Sequence, residues 1–345
     1  MNEKLIILAF QIDSTLTGIH SRSELTVRIS RDFDRGRTTK EVLDSTFESD
    51  ATDLTNLQID SGFTRISDGQ LLWQDYLRPI SESVSGLRSG ADLSRWYDTN
   101  SFFRKPSIEG KLAVSEDTLF LKRYTVESAL RLVKPTKRVK RKISVLGPYS
   151  LASLAANEHY KSKEQLVHDF ARILRQVLRQ LPKLGFGTVQ INEPSLVYRY
   201  GESGITSGKE LRIFQSAFEE YLCRLPLEVY LHTYFGDSSK ILKDLLALDG
   251  VTAIGVDFTQ TSLRSLEKER FKEKALACGC IDGRNSLIES PGWIADFCIE
   301  AVKRLKPEGL VVLPSSELKY LPRIYADQKI ASIGKACKIL ESKLN

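Results

Sequence analysis

The residues best suited to chemistry in this chain stand where short apolar runs stop. Asp68, the triplet Asn192-Glu193-Pro194, His232, Asp257, Asp282 and Ser315-Ser316 each come directly after such a run, as do Gln11 and Asp13. A carboxylate just before a proline, as at Glu193, sits on an enforced extended turn. There it either meets a ligand or accepts a structural hydrogen bond. His232 has the same two readings: a ligand contact, or a ring satisfied by a backbone partner. The other histidines are His20, His159 and His168, and none has metal-ligand spacing. Gly147-Pro148-Tyr149-Ser150 leads from a run toward a helix. Its free N–H groups and the Ser150 hydroxyl suit a carboxylate or phosphate, or simply cap that helix.

Sulfur and charge give weaker signals. Cys223, Cys278, Cys280, Cys298 and Cys337 match no disulfide framework. Cys278 and Cys280 form C-x-C with no second pair facing them, so they read as buried reduced thiols rather than a zinc site. Lys134, Lys137, Arg138, Lys140, Arg141 and Lys142 form a basic run. It reads as a solvated hairpin or as a landing site for a polyanion such as an oligoglutamate tail. No aromatics interleave it, which argues against nucleic acid.

These positions need elements to hold them. Apolar, β-branched runs predict strands at Leu5–Phe10, Asp60–Ser67, Ile143–Gly147, Gly187–Asn192, Leu227–His232, Val251–Asp257, Ala275–Ile281 and Leu310–Leu313. Helical patterns lie between them, at 39–59, 163–184, 209–225, 239–248, 262–272 and 293–305, with a last one at 322–344. In 167–184, Phe170, Ile173, Leu174, Val177, Leu178 and Leu181 recur at steps of three and four, one apolar stripe. Continuous apolar strands alternating with helices predict a parallel sheet. Eight such units close a (β/α)8 barrel, whose chemistry collects at the carboxyl ends of its strands. Residues 68–142 break the rhythm between the second and third strands; a connection that long tends to be functional. The expectation is a single barrel over 1–345, with 68–142 inserted at its mouth.

Composition bounds the rest. The chain has 345 residues, 41% hydrophobic and 27% charged, ordinary for a soluble globular protein. A collagen, a disordered chain and a disulfide scaffold are excluded. A net charge of +6 is too small to imply nucleic-acid binding by itself. No stretch approaches the roughly 20 apolar residues of a membrane span. The run after Met1-Asn2-Glu3-Lys4 lacks a signal-peptide layout, so a cytoplasmic location is expected.

In this order, several stretches resemble cobalamin-independent methionine synthase along nearly the whole chain. They are Ser67-Asp68-Gly69-Gln70 with Asp75 after it, Gly147-Pro148, Gln190-Ile191-Asn192-Glu193-Pro194, His232 and Pro314-Ser315-Ser316-Glu317-Leu318-Lys319. Trp96-Tyr97-Asp98-Thr99-Asn100, Thr233-Tyr234-Phe235-Gly236-Asp237 and Ile281-Asp282-Gly283-Arg284-Asn285 are similar to segments of that family's non-catalytic N-terminal barrel. The resemblance implies methyl transfer from methyltetrahydrofolate to homocysteine, run in the family by a zinc-bearing C-terminal barrel. The family's zinc is held by a His, two Cys and a Glu. Here those positions read His232, Tyr234, Ser316 and Asp257, so both thiolates are gone. Hydroxyls are poor zinc ligands, and without zinc a thiol with a pKa of about 8.5 is scarcely ionised at pH 7. Asn192 replaces an Asp that meets the amino acid, and Gln70 replaces a Glu with a similar contact.

The resemblance implies a zinc-less barrel serving methyl transfer beside a separate zinc-bearing subunit, with no tightly bound cofactor and no metal. Folate or its oligoglutamate tail is the implied ligand. Trp96, Tyr97, Phe102 and Phe103 would wall a pterin, and Arg104, Arg138 and Lys140 would meet carboxylates. Gln70, Asn100, Ser150, Asn192, Tyr234 and Ser316 complete the expected binding set. An alternative is a stand-alone, zinc-free methyltransferase or other enzyme with a changed substrate, using Asp68, Glu193, His232 and Asp257 as polar catalytic groups. The other alternative is a non-enzymatic scaffold.

Overall fold

The computed structural model describes residues 10–90, 92–114, 119–198 and 208–345. Eight parallel strands form the barrel: β1 Gln11–Ser14, β2 Arg65–Ile66, β3 Lys140–Leu146, β4 Phe186–Asn192, β5 Glu228–Thr233, β6 Ala253–Asp257, β7 Ala275–Ile281 and β8 Gly309–Pro314. They neighbour one another in the order β1-β8-β7-β6-β5-β4-β3-β2. A single parallel bridge, Thr15 to Arg65, joins the two ends of that row. Thr64 N donates to Ser14 O at 3.3 Å, and Ser14 N to Thr64 Oγ1 at 3.1 Å, across the same seam.

The longer helices are α1 Glu24–Asp34, α2 Lys40–Asp60, α3 Pro148–Leu154, α4 Lys163–Leu178, α5 Gly208–Tyr221, α6 Pro291–Leu305 and α7 Arg323–Leu344. The α4 stripe is buried as its spacing predicts, and Ser162 caps its start by accepting from Gln165 N. Each large apolar side chain buried this way contributes about 1.5–3 kcal/mol.

Three expectations shift. The run at Leu5–Phe10 lies outside the described residues except for Phe10, and the described first strand begins at Gln11. The second strand is two residues long, because α2 runs on to Asp60. The helix expected over 262–272 is only a 3-10 turn, Leu263–Leu266. Its fully buried residues, Leu266 and Phe271, are five apart and cannot share a helical stripe.

Between β2 and β3 the described residues form small sheets of their own. Val84–Arg88 pairs antiparallel with Ser107–Val114, which pairs parallel with Ala156–Asn157. Leu93–Arg95 and Phe102–Arg104 form a second small ribbon. A short helix, Glu127–Leu132, returns the chain toward β3.

The barrel interior is lopsided. Tyr230, Ala253, Ala277, Val311 and Leu313 form their own buried cluster, with Ala275 against it. The neighbouring strands β6 and β7 thus offer small residues inward. The run β2 to β5 offers large polar ones, including Arg65, Lys142, Gln190, Asn192 and His232, all buried.

Candidate functional site at the barrel mouth

Glu193 comes directly after β4 and is fully buried. Its carboxylate accepts from Tyr149 N at 2.9 Å, from Ser150 N at 2.8 Å and from Ser150 Oγ at 2.6 Å. The anion-holding turn at Gly147–Ser150 is therefore filled by the protein's own acid. A Cβ at Gly147 would lie 2.2 Å from Glu193 Oε1, so only glycine admits this approach. Burial pushes the Glu193 pKa up to about 7, against the pull of those three donors.

Asp68 and Asp257 are closed in the same way. Asp68 accepts from Gln70 N at 2.9 Å and from Val126 N at 2.8 Å, which pins the end of the insertion. Asp257 accepts from Phe235 N at 3.0 Å, Thr259 N at 2.9 Å and Thr259 Oγ1 at 2.6 Å. Burial raises both, Asp257 to about 6. Gln70 bonds both backbone groups of Ser144, at 2.8 and 2.9 Å. Because β2 pairs with β3 only at Arg65 and Ile66, this side-chain amide replaces the missing strand. Asn192 donates to Tyr76 OH at 3.1 Å and accepts from Gln190 Nε2 at 2.7 Å.

His232 Nε2 lies 2.8 Å from Ser315 O, and because a carbonyl only accepts, Nε2 carries a proton. Nδ1 is buried without a hydrogen-bond partner. A Cβ at Gly255 would sit 1.9 Å from that Nδ1, and one at Gly279 would sit 3.4 Å from Cε1. The small residues of β6 and β7 thus make the space for this ring. Burial lowers its pKa to about 4.

Above His232 the mouth is aromatic. Tyr234 donates to Glu317 Oε1 at 3.0 Å and Tyr320 donates to Glu317 Oε2 at 2.8 Å. Trp96 packs on Tyr76, Tyr97 and Phe103, with ring centroids 5.0–6.0 Å apart. Tyr97 reaches Ser195 Oγ at 2.6 Å. Trp96, Tyr97 and Phe103 are buried against one another, whereas Phe102 is 57% exposed. Lys319 places its ammonium 5.2 Å from the Trp96 ring centroid and 5.5 Å from that of Tyr320. Ser316 Oγ is buried with no partner.

The structure does not bring every expected residue to this end. Asn100 is exposed on the turn between the ribbon strands. Lys140 opens β3, at the amino end of the barrel, where it pairs with Glu228 at 2.5 Å. Arg138 lies beside it and pairs with Glu341. The basic run is there because Lys140–Lys142 are the start of a strand. The cations that do reach the carboxyl end are different ones. A cavity of about 700 Å³ lies between the loops after β1 and β8, lined by Arg22, Arg28, Arg31, Lys319 and Arg323, with Glu24 and Asp327. Arg323 is paired with Asp50 and Asp327, and Arg28 and Arg31 are exposed on α1. No contiguous basic run announces this group; the fold assembles it from 22–31 and 319–323.

A family model described as the N-terminal domain of cobalamin-independent synthase matches residues 87–303, more than half of the chain. The chain belongs to that family. It is similar to the methionine synthase of Sulfolobus acidocaldarius, 24% identical over 349 residues, covering 100% of this chain and 95% of the relative. The methionine synthase of Pyrococcus abyssi is 26% identical over 278 residues, covering 80% and 77%. Among solved structures, a B12-independent methionine synthase from Shewanella sp. W3-18-1 in complex with selenomethionine superposes with TM-score 0.73, at 18% identity, covering 97% of this chain and 99% of that one. A methyltransferase from Methanosarcina mazei gives 0.60, at 16% identity, covering 94% and 93%. These two superpositions establish the shared barrel.

As a cobalamin-independent synthase barrel, the chain invites a test of its mouth as a zinc site. The donors do not suit the ion. His232 Nε2 is engaged by a carbonyl and its unpartnered Nδ1 faces Gly255, the Tyr234 hydroxyl is engaged by Glu317, and both Asp257 oxygens by N–H and O–H groups. Ser316 brings only a neutral hydroxyl. Among the described residues, one group of three His, Cys, Asp or Glu side chains converges closely enough to share an ion, and it is elsewhere in the fold.

Proposed function

We propose that this chain serves methyl transfer to homocysteine as a zinc-less barrel. In this reading it binds a folate-class methyl donor, and a separate zinc-bearing subunit ionises the thiol. Family membership supports the coarser role in methionine biosynthesis. The observation that carries the finer reading is the closure of the inherited ligand positions Tyr234 and Asp257 by internal hydrogen bonds, which leaves His232 Nδ1 without a second strong donor beside it. The thiol of homocysteine must lose its proton to attack the methyl group, and with Tyr234 and Ser316 at the inherited cysteine positions this mouth offers no thiolate ligand to hold a cation that would do so.

The donor's carboxylates have a chemically matched place in the cavity beside the mouth, where five cations face two carboxylates. Lys319 belongs to that cavity and also touches Trp96, so occupancy is coupled to an indole. A stand-alone enzyme is less well supported: Asp68, Glu193 and Asp257 would each have to release backbone donors to move a proton.

The test is a methionine-formation assay with this chain alone and again with a zinc-bearing homologue added. Turnover is expected only in the second case, and above the homologue's own rate. Turnover by this chain alone with stoichiometric zinc overturns the proposal. Titration with methyltetrahydrofolate, with and without an oligoglutamate tail, should change tryptophan fluorescence more strongly with the tail. Silence with both removes the folate assignment.

A further inference from the structure

Among the described residues, the one converging group of three His, Cys, Asp or Glu side chains is Cys278, Cys280 and Cys298, on the outer face of the barrel wall. Along β7, Ala275 and Ala277 turn inward to the small interior cluster. Period-two alternation then sends Cys278 and Cys280 outward, toward the helix layer. Cys278 sits in register between Val256 of β6 and Val312 of β8. Cys298, from the middle of α6, meets them from above. All three are free and buried, and their sulfurs lie within 4.8 Å of one another.

Three features separate this cluster from ordinary core thiols. First, the spacing suits shared coordination: a metal–sulfur bond of about 2.3 Å in a plane of three places the sulfurs about 4 Å apart. Second, the three sulfurs come from two separate elements, β7 and α6, and still converge on one point. Third, the donor set stops at three. The nearby acid, Glu289, accepts from Asp282 N at 2.9 Å and pairs with Lys329 at 2.7 Å, so its oxygens are engaged. Structural zinc takes four ligands, whereas soft thiolates alone also suit Cu(I).

We propose that Cys278, Cys280 and Cys298 form a three-sulfur site for a soft monovalent cation, with Cu(I) as its chemical type. Binding changes no oxidation state. Each sulfur that enters as a thiolate releases one proton to solvent, so affinity rises with pH. The site is independent of the methyl-transfer reading, because its sulfurs lie on the helix-covered face of β7 rather than in the barrel interior that opens at the mouth.

The experiment is an anaerobic titration of the reduced full chain with Cu(I) supplied as its bicinchoninate complex. One Cu(I) per chain should leave the chelator, with sulfur-to-copper charge-transfer absorption in the near ultraviolet. Cys278→Ala, Cys280→Ala and Cys298→Ala should each weaken binding by more than the roughly 10- to 100-fold that loss of an outer partner costs a metal site. Cys223→Ser, on a half-exposed cysteine away from the cluster, should bind as the parent does. No transfer from the chelator overturns the proposal, and so does undiminished binding in the triple alanine variant. Where an alanine variant fails to fold, X-ray absorption on the copper-loaded parent decides. Three sulfurs near 2.3 Å support the site, and a nitrogen or oxygen in the shell overturns it. Zn(II) binding as tightly as Cu(I) would also overturn the three-coordinate assignment.

Discussion

The two ends of this barrel bury polar groups by opposite means. At the amino end, charge meets charge. Arg65 joins Asp13 at 3.1 Å and Glu228 at 2.8 Å, Lys140 also joins Glu228, and Arg138 joins Glu341. The Glu228 pKa is accordingly low: burial raises it, but Arg65, Lys140 and Thr188 together outweigh that effect. At the mouth, Glu193, Asp68 and Asp257 are met by neutral N–H and O–H donors, and all three are pushed up. Burial alone therefore does not set a carboxylate's charge state. One end holds fixed ions, and the other holds acids poised to become neutral.

Breaking the ionic end should have the largest effect. Arg65→Ala leaves buried Asp13 without its cation and Glu228 with Lys140 alone, and should cost about 3–5 kcal/mol in urea unfolding. Arg65→Met should cost less than Arg65→Ala, because it restores packing; an equal loss would mean that volume plays no part there.

At the mouth, Glu193→Gln should cost about 1–3 kcal/mol, since a Gln amide can accept on only one side. It should also change the pH profile. An acid whose folded pKa is raised from 4.5 to about 7 makes the folded state bind more protons across that window. Its contribution is present below pH 4.5 and is lost as pH climbs to about 7. The parent should therefore lose stability relative to Glu193→Gln between about pH 5 and 7, by urea midpoints. A parallel pair of curves would contradict the raised pKa.

His232 has the reverse sign. Its folded pKa, lowered to about 4, makes acid destabilising between about pH 6.5 and 4. Nitrogen NMR should show the Nε2–H tautomer persisting to about pH 5. A ring protonated at about pH 6 would break the contrast, because it would place a charge at the mouth. Gly255→Ala, which drives a methyl into that ring, should cost about 1–3 kcal/mol.

The smallest effect on stability is expected on α1. Arg28→Ala and Arg31→Ala should leave the urea midpoint within about 0.5 kcal/mol of the parent. They should nevertheless weaken binding of the oligoglutamate-tailed folate, with a shallower salt dependence.

Legibility in the sequence divides along the same line. Strands walled by apolar or small residues on both sides, such as β6, β7 and β8, stand out as runs whose ends agree with the structure to within one or two residues. Strands whose inward residues are ionic do not. In β1, Gln11-Ile12-Asp13-Ser14 reads as loop because Asp13 points at Arg65. The first residues of β3 are hidden in a basic run because Lys140 and Lys142 serve the barrel itself. Lys142 is buried, with Nζ donating to Leu16 O and Ser144 Oγ. At the mouth, Glu193 and His232 are visible as polar residues at strand ends. Their partners are not, because contacts such as Tyr234 with Glu317 join positions 83 residues apart and leave no local trace. The thiol cluster needs α6 to fold back over β7, which no C-x-C pattern encodes.

The narrow seam between β1 and β2 has a consequence for motion. From β3 round to β1 by way of β8 the wall is knitted by runs of paired strand residues, but here one bridge and two threonine–serine bonds share the task. The inserted segment springs from this weakest stitch. Amides of β1 and β2 should therefore exchange with heavy water well before those of β4 and β5, so that the barrel opens first along this seam while the far wall stays shut.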